Sequence, residues 1–162
     1  MKSVITTIAI ILLVNTSNNI TTDHLKVFEG EWNGTLTYLN YGDDQTLVDL
    51  SLRMVAEFDG KSLKFDYFYN EGNGRVEKRT GSFKLKGDDI IYNGKWDLKN
   101  SSITDLENWE LQLESVGKDN NRPARFKKSI LVSKDKIEVT KMVQYKDASG
   151  DFFMRNKHVF QR

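Results

Sequence analysis

The sequence predicts an all-β protein, an antiparallel up-and-down β-barrel of roughly eight to ten strands with a short helical plug at its N-terminal end. Three observations predict it. Apolar residues alternate at every second position through nearly the whole chain beyond Gly30. That is the signature of half-buried strands. Turn signals such as Asp59-Gly60, Asn93-Gly94 and Lys134-Asp135 punctuate the pattern at short, regular intervals. One strand, Gln45 to Phe58, is long enough to suit the tilted, coiled wall of a barrel.

The chain divides into residues 1–19, which read as a secretory signal, and residues 20–162, which read as one barrel domain. Lys2 supplies the positive end of the signal, and Val4 to Val14 an apolar run broken by Thr6 and Thr7. The run is shorter than the ~20 residues of a membrane span. A secreted or periplasmic address is therefore expected. There are no cysteines, so no disulfide and no lipid-anchored cysteine, and the fold must rest on an ordinary core. The chain carries 24 Lys plus Arg against 23 Asp plus Glu, and without Lys2 the two balance. This gives no general bias toward nucleic acid or anionic membrane. Asn33 and Asn100 open sequons that matter only in a eukaryotic host.

In chain order, Thr22 to Phe28 reads as a short helical turn, capped by Asp23, with Leu25 and Phe28 on one face. Gly30 lets the chain turn sharply. Then Trp32, Gly34, Leu36 and Tyr38 share one face of a first strand. In the long second strand Leu50, Leu52, Met54 and Ala56 face one way, and in Ser62 to Asn70 so do Leu63, Phe65, Tyr67 and Tyr69. Arg75 to Lys86 alternates weakly around Gly81, Phe83 and Leu85, and short strands follow at Ile90–Tyr92 and Lys95–Leu98. Asp105 to Val116 fits two periods: Leu106, Trp109, Leu113 and Val116 a helix, with Thr104 and Glu107 as a capping box, or Trp109, Leu111 and Leu113 a strand. The surrounding hairpins decide for a strand. Gly117 to Pro123 reads as a loop, and Ala124–Ser133, Lys136–Tyr145 and Phe152–Arg162 as three final strands.

The plug, the tight glycine and the Trp-led strand Gly30 to Tyr38 (GEWNGTLTY) resemble the start of a lipocalin-type (calycin) barrel, and the full strand resembles that of nitrobindin-like barrels. The stretches Gly117 to Ala124 and Arg155 to Arg162 are similar to bacterial secreted lipocalin-like proteins. Lipocalins usually carry a helix after the barrel, whereas this chain ends on a strand, as the nitrobindin-like variant does. The resemblance implies a structural pair, Trp32 with a basic residue, here Arg162, closing the barrel base. An even strand number would place the two together, since the last strand then returns to where the first begins. It also implies that a histidine on the final strand, here His158, ligates haem iron. Residue by residue, Met154, His158 and Phe160 share a face with Phe153 and Val159 opposite, so a surface imidazole is the simpler expectation.

The expected function is the binding of a small apolar ligand inside the barrel, with Tyr38, Met54, Phe65, Tyr67, Tyr69 and Trp109 as candidate wall residues. Tyr67 offers a hydroxyl on an apolar wall. Two alternatives stay open: a haem protein or enzyme using the same cavity, and a barrel filled by its own side chains that acts through its surface. No metal-ligand spacing, nucleophile elbow or phosphate loop is present, and no cofactor is expected apart from the implied haem. The acidic pair Asp88-Asp89 and the pairs Lys127-Lys128 and Lys134-Lys136 read as solvated, and His24 as exposed.

Overall fold

The computed structural model describes residues 19–162 apart from 73, 88, 148 and 149. All but the last residue of the expected signal segment 1–19 therefore lies outside the described residues, as does Asp88. A 3₁₀-helix, Thr22–Phe28, precedes ten strands: β1 Gly30–Leu39, β2 Leu47–Phe58, β3 Ser62–Asn70, β4 Val76–Lys86, β5 Asp89–Tyr92, β6 Lys95–Ile103, β7 Trp109–Asp119, β8 Arg122–Ser133, β9 Lys136–Tyr145 and β10 Phe153–Gln161. Each strand pairs antiparallel with the next, and β1 closes on β10. Closure leaves no sheet edge exposed along the seam. No described helix is long and apolar enough to cross a membrane.

The alternation becomes burial as expected. Leu52, Met54 and Ala56 on β2 stand beside Tyr69, Tyr67 and Phe65 on β3, all pointing inward. Asp59 makes the β2–β3 turn by accepting the N–H groups of Lys61 and Ser62 at 2.9 and 2.7 Å. Gly34 allows β1 and β10 to approach: a Cβ there would lie 2.2 Å from the Val159 carbonyl oxygen.

The ambiguous segment is strand β7, with Trp109, Leu111 and Leu113 all buried. Its helical alternative loses because Asp105 folds residues 104–108 into a turn, accepting the N–H of Glu107 at 2.8 Å and the Asn108 amide. The expected loop 117–123 is a tight hairpin. Asn120 and Asn121 take φ of 48° and 62°, the left-handed pair a two-residue hairpin turn requires, so β7 and β8 run on to Asp119 and from Arg122. Likewise β6 continues through Asn100 to Ile103, its polar side chains being compatible with pairing to β7.

The plug differs at its cap. His24, not Asp23, organises the first turn: its Nδ1 accepts the Thr21 N–H at 3.1 Å, and the ring is buried against Trp109 rather than solvated. Asp23 instead pairs with Lys26 at 2.9 Å on the surface. Leu25 and Phe28 fill the barrel base. There the Trp32 Nε1–H donates to the Phe28 carbonyl at 2.8 Å, and the Arg162 guanidinium lies 4.1 Å from the Trp32 ring centre. Arg162 also donates to the carbonyls of Val27 and Glu29, tying the plug to the last strand.

Strand β10 carries the largest departure. Its register against β9 shifts between Met154 and Asn156, so Arg155 is a bulged extra residue. Phase reverses there: Phe153 and Arg155 face inward above the bulge, and Asn156, His158 and Phe160 below it. Met154 and His158 therefore do not share a face, and His158 is not a surface imidazole.

Candidate functional site

The barrel is filled at its plugged end and open at the other. Strand β5 is so short that it covers β4 only from Phe83 to Lys86, and β6 covers β7 only as far as Glu114. Above them the wall between β4 and β7 is incomplete. A cavity of about 410 Å³ lies there, bounded by Tyr67, Tyr69, Tyr92, Trp96, Lys128 and His158, with Arg79, Lys141 and Asn156 toward its rim. A second space of about 350 Å³ at the mouth shares Tyr69, Arg79, Asn156 and His158 with it and adds Leu36, Tyr38, Tyr41 and Leu50.

The floor is a cluster of rings. Tyr67 packs against both His158 and Phe160, with ring centres 5.4 and 5.8 Å away and those two 6.0 Å from each other, and its hydroxyl is 2.9 Å from that of Tyr92. The Tyr67 hydroxyl is thus already partnered and not free on an apolar wall. Burial raises the Tyr67 phenol well above its ordinary value and pushes those of Tyr69 and Tyr92 up to about 12. They stay protonated at any physiological pH.

His158 faces this floor, half-buried, with Nε2 3.4 Å from the Tyr69 hydroxyl. Burial first, and the Lys128 charge second, push its pKa from 6.5 down to about 4. Unfolded chains therefore bind a proton at this residue between about pH 6.5 and 4 where the folded chain does not, so stability falls as pH is lowered through that window. The expected effect is on the order of 1–3 kcal/mol. Thermal melts from about pH 7 to 4 should show a shallower acid limb for His158→Gln than for wild type. The remaining slope belongs in part to His24, which burial also lowers. Parallel limbs in the two proteins would show that His158 is not desolvated.

Lys128 sits on the inner row of β8, between Phe126 and Ile130, and is only 7% exposed. Its Nζ lies 4.0 Å from the Trp96 ring centre and 4.2 Å from that of Tyr92, and donates to the Tyr92 carbonyl at 3.4 Å. Among the described residues no carboxylate lies within ion-pair distance of it. Lys141 is its register partner on β9, with Nζ 3.5 Å from Asp119. Burial first, then Lys141, push the Lys128 amine down to about 7. The expectation that Lys127 and Lys128 are both solvated fails for Lys128.

At the mouth, fully buried Arg155 binds Asp119 at 2.8 Å, Asp44 at 2.7 Å and the Tyr145 hydroxyl at 2.7 Å, with its guanidinium 4.3 Å from the Tyr41 ring centre. Tyr145 donates to the same Asp119 oxygen at 3.1 Å.

Of the candidate wall residues, Tyr67 and Tyr69 line the cavity and Tyr38 lies at the mouth. Met54 and Phe65 are packed into the filled floor. Trp109 is inward but at the wrong height. It begins β7 at the plugged end and packs on Phe28, with ring centres 5.9 Å apart, because parity fixes a residue's face and not its level. Sequence reasoning missed Lys128, Lys141, Asp119 and Arg155. For the two lysines the signal was there: each occupies an inner position in an otherwise apolar row, Ala124 to Val132 and Ile137 to Tyr145.

No protein family matches the sequence, and no curated protein matches it. Solved structures do. Rv2717c from M. tuberculosis aligns with a TM-score of 0.61 at 15% identity, over 85% of this chain and 94% of that one. The S-type phycobiliprotein lyase CPES from Guillardia theta aligns with a TM-score of 0.55 at 10% identity, over 89% of this chain and 93% of that one. At such identities the likeness is one of fold: the chain shares with these structures its closed antiparallel β-barrel.

Proposed function

We propose that this chain is a non-catalytic binder of a small, largely planar molecule with an apolar body, held in the upper cavity. The observation that carries the reading is the roughly 410 Å³ space walled by Tyr67, Tyr69, Tyr92 and Trp96 and open to solvent through the gap above β5. That volume lies within the range of small-molecule sites, and aromatic walls with a few placed polar groups are their usual lining. The lipocalin-like fold is compatible with this use, and the signal-like residues 1–19 support action outside the cytoplasm, secreted or periplasmic.

A second reading, haem, is favoured by one observation: His158 is neutral and faces the cavity. His158 would hold the iron through Nε2, which requires the Tyr69 hydroxyl beside that nitrogen to swing away. One experiment addresses both readings. Native mass spectrometry of protein purified from its own host should show a co-purifying small molecule, displaced by an apolar fluorescent probe. A haem mass, with a Soret band lost in His158→Ala, would make haem the occupant. No bound species and no uptake of any probe would leave a barrel that works through its outer surface.

A further inference from the structure

We propose that the cavity ligand is an organic acid whose anionic group is received by Lys128 and Lys141 at the cavity wall. The proposal rests on the reading that the upper cavity holds a small molecule, and it names the chemistry of that molecule.

The contrast between two buried cations in this barrel carries the argument. Arg155 is what a structural cation looks like here: two carboxylates, a tyrosine hydroxyl and the Leu39 carbonyl surround it. Lys128 has none of this. It has one long hydrogen bond to a carbonyl and two ring faces, and no carboxylate among the described residues reaches it. Across the sheet stands a second lysine in direct register. Like charges placed opposite one another on neighbouring strands repel, and burying an ammonium without a counter-charge is costly. An apolar side chain at position 128 would continue the row of Phe126, Ile130 and Val132 without either penalty.

The cavity is also one-sided in charge. Lys128, Lys141 and Arg79 line it, with Asn93, Asn156 and Thr80 as further hydrogen-bonding groups, and none of its lining residues is an aspartate or glutamate. Two of these cations have a carboxylate behind them, Lys141 with Asp119 at 3.5 Å and Arg79 with Glu77, so Lys128 is the lining cation that no carboxylate among the described residues balances. A carboxylate or sulfonate on a planar ring would place its rings against Tyr67, Tyr92 and Trp96 and its charge at the Lys128 Nζ. Burial holds that amine near the point of losing its proton in the free protein, so an arriving anion draws the proton on and strengthens the contact.

Two fluorescent probes with the same rings test this: 8-anilinonaphthalene-1-sulfonate, which is anionic, and N-phenyl-1-naphthylamine, which lacks the sulfonate. Titrated into the full chain, the sulfonate should bind roughly tenfold to a hundredfold more tightly than the neutral amine. In Lys128→Met that preference should collapse, the sulfonate binding no more tightly than the neutral amine to the same variant. A cation held only for structural reasons would instead leave the preference intact.

A wild-type pH series gives the same readout without a variant, should Lys128→Met fail to fold. Raising the pH from about 6 to 9 should weaken the sulfonate and spare the neutral probe. The other groups facing Lys128 are Lys141 with Asp119 behind it, Arg79 with Glu77, His158, and Tyr67, Tyr69 and Tyr92. His158 is neutral and the tyrosines are protonated throughout that range, and Lys141→Gln separates the share of Lys141. Equal affinity for both probes in the wild type, unchanged by pH, overturns the anion site and leaves the cavity standing. Binding of neither probe overturns both.

Discussion

Arg155→Ala is expected to destabilise the barrel by about 3–5 kcal/mol, with a fall in Tm on the order of 10 °C. The cost arises mainly from what the arginine leaves behind. Asp119 is only 4% exposed and would lose its 2.8 Å partner, keeping Lys141 at 3.5 Å. A buried carboxylate short of its counter-ion is the expensive state. Asp44 would also be released, and with it the tie between the β1–β2 loop and β10. Replacing both members of the pair, Arg155→Met with Asp119→Leu, should recover part of the loss, because no fully buried charge is then stranded, while Asp44 and Lys141, both partly exposed, each lose a partner. The measurement is a double-mutant cycle by denaturant unfolding at neutral pH. Two single variants and a double whose costs simply add would show that the two side chains are not coupled.

The same residue shows where the sequence stopped being legible. Period-two alternation is a reliable guide while each strand keeps one phase, and with the turn signals it pointed to the barrel and to the inward faces of β2 and β3, whereas the meeting of β1 with β10 followed from an even strand number and the Trp32–Arg162 pair that the resemblance implied. It has no means of announcing an extra residue. Counted one by one, Phe153 and His158 fall on opposite faces; with Arg155 bulged out of the count they both face inward. The hairpin at Asn120-Asn121 was missed for a related reason: asparagine pairs were read as loop composition, although asparagine accepts the left-handed backbone a tight turn needs. The cationic side of the cavity was legible in part. Lys128 and Lys141 stand in phase with apolar neighbours, and a charge in an inner row is the informative exception in a strand. The height of a side chain along the barrel is a different matter. Trp109 and Tyr67 are both inward, and only the register of the folded sheet shows that one rests on the plug and the other on the cavity floor.

Trp32→Ala is expected to cost about 3–5 kcal/mol, the range for truncating a buried aromatic. Trp32 has no exposed surface and stands opposite Met54 on β2, so removing the indole opens a void against the plug that neither strand can close without breaking its ladder. Two further contacts are lost with it. The Phe28 carbonyl at the end of the 3₁₀-helix loses its donor, and Arg162 loses the ring beneath it, a contact of about 0.5–2 kcal/mol. Arg162→Ala should cost less, because the indole still fills the base and only the guanidinium's contacts to the ring and to the Val27 and Glu29 carbonyls are removed. Trp32→Phe should fall between the two, keeping a ring under Arg162 but not the hydrogen bond to Phe28. Equilibrium unfolding of the three variants gives the order Trp32→Ala, Trp32→Phe, Arg162→Ala from most to least destabilised. A Trp32→Ala protein that melts within a degree or two of wild type would mean that the plug, and not the indole, holds the base closed.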